Sequence, residues 1–225
     1  MQTYSGVVFD FNGTLYWDTK LHNLAWDEFL DKYGITLSDE DKFRTMHGKN
    51  NRDIFFTLFG SDLSDEKVEQ FNQDKELLYQ ELCLQTSMQL APGVESFFGF
   101  LKEKNIPFTI ATASSKINVD FYFEHLGLSR WFNYDKVVYN NGQIKGKPDP
   151  EIYQIAMSVI GKNPAEVVVF EDAIAGLEAA RNAKAGNIII VDSNDDDYSG
   201  WEKHQIIHNF DEVDRSMFCP LDTRL

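Results

Sequence analysis

The stretch Gly6-Val7-Val8-Phe9-Asp10-Phe11-Asn12-Gly13-Thr14-Leu15 decides how the rest of the chain is read. Its opening run is apolar at every position and β-branched in the middle, which suits a strand covered on both faces. The run then drives straight into a carboxylate and a glycine-containing turn. Open parallel sheets gather ligands outside the carboxyl ends of their strands, where loops present side chains from a rigid base. Taken alone, Asp10 serves equally well as a cap for the turn that follows.

Outward from this strand, further apolar runs at 107–111, 137–139, 167–170 and 187–191 alternate with segments of helical spacing at 94–104, 117–126, 151–160 and 173–183. Gly127, Gly161 and Gly186 follow three of these segments as expected helix stops. The alternation predicts an α/β fold with a Rossmann-like parallel sheet. Residues 16–90 break the rhythm, because they carry no strand signal and greatly exceed an ordinary crossover. Apolar stripes at helical steps, Leu21, Ala25, Phe29 and Tyr33, then Val68, Phe71, Leu78 and Leu82, predict that this insert is α-helical. The expected organisation is a core of 1–15 and 91–225 with an inserted helical domain at 16–90.

Composition narrows the partners. With 43% apolar and 25% charged residues, the 225-residue chain can bury a core and carry an insert. A formal charge of −15 opposes both nucleic acid and anionic membrane surfaces, which recruit Lys and Arg. Cys83 and Cys219 are too few for a disulfide framework or a cysteine-based zinc site. No basic segment leads into a long apolar run at the start. A cytoplasmic monomer acting on a small molecule is expected.

The other strand ends carry matching chemistry. Thr112-Ala113-Ser114-Ser115 offers hydroxyls and backbone N–H groups at a helix start, suited to a phosphate or simply to capping. In Gly146-Lys147-Pro148-Asp149-Pro150 a single lysine is framed by glycine and proline, placed to neutralise Asp10 and an incoming anion. Phe170-Glu171-Asp172-Ala173 puts two adjacent acids at the end of a buried strand, an arrangement that calls for a cation. Mg2+ fits, since it takes oxygen ligands and shares its shell with substrate phosphates.

In order, Asp-x-Asn-Gly-Thr, Thr-x-Ser, Lys-Pro and Glu-Asp resemble the haloacid dehalogenase superfamily of phosphotransferases. The insert resembles the helical cap of its beta-phosphoglucomutase-like branch. The resemblance implies that Asp10 is a nucleophile forming an aspartyl-phosphate, with Asp10, the Asn12 carbonyl and Asp172 holding Mg2+ and Glu171 behind them. It also implies that Thr112 and Ala113 N–H groups and Lys147 hold the transferring phosphoryl group of a small phosphorylated metabolite, a sugar phosphate among the options.

One position departs from the family pattern. Most such phosphatases carry a second aspartate two residues after the nucleophile as general acid and base, and here Asn12 stands there. An amide hydrogen-bonds but shuttles no proton, and that function is typically worth ~100- to 10,000-fold. A slow phosphatase, a silent phospho-ligand-binding protein, a beta-phosphoglucomutase and a phosphonoacetaldehyde hydrolase are then the readings in play. The last two fit less well, because the mutase also needs the missing acid and the hydrolase needs a lysine where this chain has Asn51. Within the insert, Lys75 lies on an apolar helical face and either snorkels or, as the resemblance implies, faces the active site. His22 either packs or touches substrate. The resemblance makes Gly48, Lys49, Asn51 and Arg52 a substrate-contacting loop, with Lys49 and Arg52 as anion binders.

Overall fold

The computed structural model describes residues 3–219. Strand β1 (Gly6–Phe9) is followed by four helices, α1 (Thr19–Asp31), α2 (Asp39–Thr45), α3 (Asn51–Phe59) and α4 (Asp65–Leu84). The chain continues through α5 (Val94–Glu103), β2 (Phe108–Ser115), α6 (Lys116–His125), β3 (Val138–Asn140), α7 (Glu151–Val159), β4 (Val167–Glu171), α8 (Ile174–Asn182), β5 (Asn187–Val191) and β6 (Gln205–Ile207). The strands form one sheet in the order β3-β2-β1-β4-β5-β6, with every pairing parallel. The chain steps outward from β1 through β2 to β3 and then crosses back to β4 on the other side of β1, so the carboxyl end of β1 lies at the switch point where such sheets open a crevice. Pairing of Phe9 with both Ile110 and Phe170 places Asp10 beside Glu171 at that crevice.

Alternation along β1 explains why its run is apolar throughout. Val7 and Phe9 belong to one buried cluster and Val8 to the other, each on its own face of the sheet. Phe9 stacks on Phe170 at 5.1 Å between centroids and meets Phe97 and Phe98 edge-on. Each fully buried aromatic of this kind stabilises the fold by roughly 1.5–3 kcal/mol.

Helices α1, α3 and α4 share a separate apolar cluster centred on Trp26, Phe29, Phe55 and Phe71, while Phe43 of α2 packs into a cluster of the sheet core. Their starts are specified locally. The Ser38 hydroxyl and the Asp41 carboxylate form a reciprocal capping box at α2, while Asn50 and Ser64 side chains accept the first free N–H groups of α3 and α4. Tyr33 falls just past the end of α1, yet its ring still packs on Phe29, Phe59 and Phe71.

Two expectations need correction. Gly127 and Gly161 do stop α6 and α7 in the left-handed region, with φ of 61° and 67°. Gly186 does not stop α8; Lys184 takes the positive φ of 62° instead. Glycine is needed at 186 because a Cβ would lie 2.1 Å from the Ala165 carbonyl oxygen. The short edge strand β6 was not anticipated, since three residues with two facing solvent carry no periodic signal. No helix among the described residues is long and apolar enough to cross a membrane.

Candidate active site

The site is built at the chain ends of β1, β2 and β4. Asp10 leaves β1 with its N–H donated to the Phe170 carbonyl at 2.9 Å, which fixes its backbone against β4. Lys147, from the loop before α7, is buried and donates to Asp10 Oδ1 at 2.5 Å and to Glu171 Oε1 at 2.5 Å. Glu171 also accepts from the Tyr153 hydroxyl at 3.0 Å and the Ala173 N–H at 2.7 Å. Its space is made by Gly176 of α8, where a Cβ would sit 1.6 Å from Oε1.

Asp10, Glu171 and Asp172 present carboxylate oxygens all within 4.8 Å of one another, and all three residues are buried. Burial pushes the Asp10 carboxyl up to about 7, with the Lys147 ammonium opposing and the Glu171 charge reinforcing. Burial and the charges of Glu171 and Asp10 likewise push Asp172 well above the carboxylate range. Burial works against the Lys147 ammonium, but Asp10 and Glu171 together raise its affinity for the proton above that of a free lysine.

Three ionised carboxylates facing one ammonium leave two negative charges unmatched, the deficit a divalent cation fills. Asp172 is the least compensated, taking only the Thr14 hydroxyl, at 2.8 Å, among the described side chains. It approaches the turn after Asp10 so closely that a Cβ on Gly13, whose φ is 77°, would lie 2.1 Å from its Oδ2. The glycine of the opening stretch thus lets a carboxylate pack against backbone beside Asp10. The donor set is all oxygen, as Mg2+ requires.

Above these residues lies a cavity of about 90 Å³ whose lining includes Asp10, Asn12, Thr112, Ala113 and Asp172 from the sheet side. Its opposite wall includes His22, Trp26, His47, Gly48, Lys49, Asn51 and Lys75 from the helical insert. Gly48, with φ of 76°, approaches the Asp172 segment so that an added Cβ would meet the Ala173 Cβ at 2.8 Å. The expected phosphate-holding residues Thr112 and Ala113 therefore face the same space as Asp10. Thr112 Oγ1 also accepts the Ser114 N–H at 3.1 Å.

Arg52 is a correction. It is absent from the cavity wall, because as the second residue of α3 its exposed guanidinium turns to Asp65 at 2.7 Å and lies over the Phe56 ring. Lys49 remains half-buried on the wall. Asn51 is tied to Glu76 at 2.5 Å and Asn72 at 2.9 Å. Lys75 is buried rather than snorkelling, with its ammonium 2.8 Å from His22 Nδ1 and 3.2 Å from both Glu76 oxygens.

Sequence reasoning missed the network around Asn12. Its amide donates to Asp18 at 2.6 Å and to the Tyr122 hydroxyl at 2.7 Å, while its carbonyl accepts from Ser114 at 2.7 Å. Asp18 is fully buried and also accepts from the Gly13 N–H at 3.0 Å and from the Tyr79 hydroxyl. Burial alone would raise the Asp18 carboxyl, but His22 beside it and the bonds from Tyr79 and Asn12 hold it below the usual range. The signal was an acid just before α1, on a chain whose acids are mostly solvated.

Comparison with known proteins agrees with this geometry. The sequence model of the haloacid dehalogenase-like hydrolases matches residues 4–184. A phosphorylated carbohydrates phosphatase of Thermotoga maritima is 30% identical over 79% of this chain and 80% of its own length. A beta-phosphoglucomutase of Bacillus subtilis is 28% identical over 79% of each. The crystal structure of a family IA, variant 3 hydrolase of the same superfamily from Entamoeba histolytica superposes with a TM-score of 0.83 at 33% identity, covering 96% of this chain and 97% of that one. Sequence match, sheet order and the acidic cluster at the end of β1 and β4 agree that this chain belongs to the haloacid dehalogenase-like hydrolases.

Proposed function

We propose that the protein is a Mg2+-dependent phosphatase of small phosphorylated metabolites, sugar phosphates foremost, and that residues 16–90 form its substrate-covering cap. The observation that carries this reading is the Asp10–Lys147–Glu171–Asp172 cluster facing the cavity beside Thr112 and Ala113. The Thermotoga maritima relative, named as a phosphatase of phosphorylated carbohydrates, supports the substrate class.

Asp10, Asp172 and the main-chain carbonyl of Asn12 would hold the Mg2+, which when bound offsets negative charge on the substrate phosphate. Lys147 favours the ionised form of Asp10 and orients it by its bond to Oδ1, leaving the other oxygen to attack phosphorus. Attack forms an aspartyl-phosphate and expels the alcohol, and water then cleaves the acyl phosphate, so one difficult displacement becomes two easier ones. Thr112 and Ala113 orient the phosphoryl oxygens. Glu171, buried with Tyr153, holds Lys147 in place.

Release of inorganic phosphate from para-nitrophenyl phosphate and from a panel of aldose and ketose monophosphates, with and without Mg2+, tests the reading. Release that needs both Mg2+ and Asp10 supports it, and no release from any ester excludes it.

The second reading, a phospho-ligand-binding protein without turnover, rests on Asn12, whose amide is already bonded on both sides and carries no transferable proton. It predicts thermal stabilisation by sugar phosphates without hydrolysis, and creation of turnover by Asn12→Asp.

A further inference from the structure

Phe43 of α2 is 7% exposed, yet it packs outside the insert, in the core cluster that also holds Tyr198 and Trp201 from the segment between β5 and β6. Its ring meets that of Tyr198 edge-on, with centroids 6.0 Å apart and planes at 89°. The buried Tyr198 hydroxyl donates to the main-chain carbonyl of Asp172 at 2.7 Å. On the other edge of that same peptide unit, the Ala173 N–H donates to Glu171 Oε2 at 2.7 Å. The peptide that follows the Asp172 carboxylate is therefore held from both sides, and Gly48 of the insert packs against Ala173 beside it.

We propose that Tyr198 is a positioning residue that aims Asp172 for Mg2+, and that Phe43 of the insert holds Tyr198 in place; the inference rests on the phosphatase reading above. Asp172 stands one residue past the end of β4, so the strand no longer fixes its backbone on the carbonyl side. Any turn of the Asp172–Ala173 peptide that draws the carboxylate away from Gly13 breaks the Tyr198 bond. A buried hydroxyl and a buried carbonyl are then left without each other, which resists the turn. Because Phe43 packs on the ring that carries this hydroxyl, docking of α2 and binding of Mg2+ favour each other by the same factor.

The surroundings assign the work to these two rings. Tyr198 closes the run Asp195-Asp196-Asp197, a polar stretch that offers its ring no apolar neighbour in sequence. Phe43 supplies one from the insert. The adjacent ion pair between Arg44 and Asp197, at 3.9 Å, joins side chains that are each 61% exposed, and such pairs contribute little. The apolar contact therefore carries the docking. Packing alone would not call for a hydroxyl, since phenylalanine fills the same space, and among the described residues the Tyr198 hydroxyl bonds only to the Asp172 carbonyl.

Titration calorimetry with MgCl2 alone reads this role without turnover. Tyr198→Phe keeps the ring and removes one hydroxyl, and it is expected to weaken Mg2+ binding by about 10-fold, as loss of a partner behind a metal ligand does. Phe43→Ala is expected to weaken binding several-fold on its own and to add no further loss to Tyr198→Phe, because both changes act through one bond. Urea unfolding in chelator accompanies each variant, and Phe43→Leu, apolar but without the edge-on ring, replaces Phe43→Ala if truncation unfolds the insert. Unchanged Mg2+ affinity in Tyr198→Phe, or losses that add in the double variant, overturn the inference while leaving the phosphatase reading intact. No Mg2+ binding by the unaltered protein overturns both.

Discussion

The carboxamide of Asn12 donates to the carboxylate of Asp18 across 2.6 Å, inside a shell that also bonds its other N–H and its carbonyl. Nitrogen is the partner this arrangement needs. Two hydroxyl or carboxylate acceptors and one hydroxyl donor surround a group that must donate twice and accept once, which is the inventory of an amide. A carboxylate in its place would face a buried anion at hydrogen-bond distance.

Asn12→Asp is therefore expected to cost about 1–3 kcal/mol of stability at pH 7, since one of two facing carboxyls must take a proton or repel the other. The loss shrinks toward pH 5, where that proton is supplied by solvent. Urea unfolding at the two pH values measures both.

Without metal, Asp10 binds its proton more tightly when folded, at about 7 against an ordinary 3.8. The folded state then holds more protons than the unfolded one between these values, so this group's contribution to stability falls as pH rises from 3.8 toward about 7. Asp172 adds to the same slope. Thermal scans in chelator should show it, and Mg2+ should stabilise the protein more at pH 7.5 than at pH 5.

Lys147→Met leaves two buried carboxylates without their shared ammonium. Loss of one partner from such a cluster typically costs about 3–5 kcal/mol, so a clear fall in the unfolding midpoint is expected along with loss of activity. Lys147→Arg is no rescue, because a planar guanidinium does not fit a point occupied by one nitrogen at 2.5 Å from both Asp10 and Glu171.

Gly13→Ala inserts a methyl group 2.1 Å from Asp172 Oδ2 at a φ of 77°. The carboxylate must retreat from Asp10, so Mg2+-dependent thermal stabilisation should largely disappear. Titration of the midpoint against Mg2+ compares the two proteins directly.

These expectations divide by how the sequence conveys them. Asp10, Glu171 and Asp172 were legible because each ends or follows a buried strand, where an ionisable side chain stands out against its neighbours, and Lys147 because glycine and proline frame it. The sheet was legible from Val-rich runs, and β6 was not, since three residues show no period. The Asp18–His22–Lys75–Glu76 chain was only half visible. Lys75 could be placed on an apolar face, but its meeting with His22 joins residues from α1 and α4 that are adjacent only after packing. Arg52 shows the opposite failure, as its neighbours in sequence line the cavity while its own direction on the helix takes it to Asp65.

The most direct test of the account is phosphate release from para-nitrophenyl phosphate by the unaltered protein and by Asp10→Asn, each with Mg2+ and with chelator. The account predicts release by the unaltered protein only with Mg2+, and none by Asp10→Asn under either condition. Release that persists in Asp10→Asn, or that ignores chelation, would contradict it.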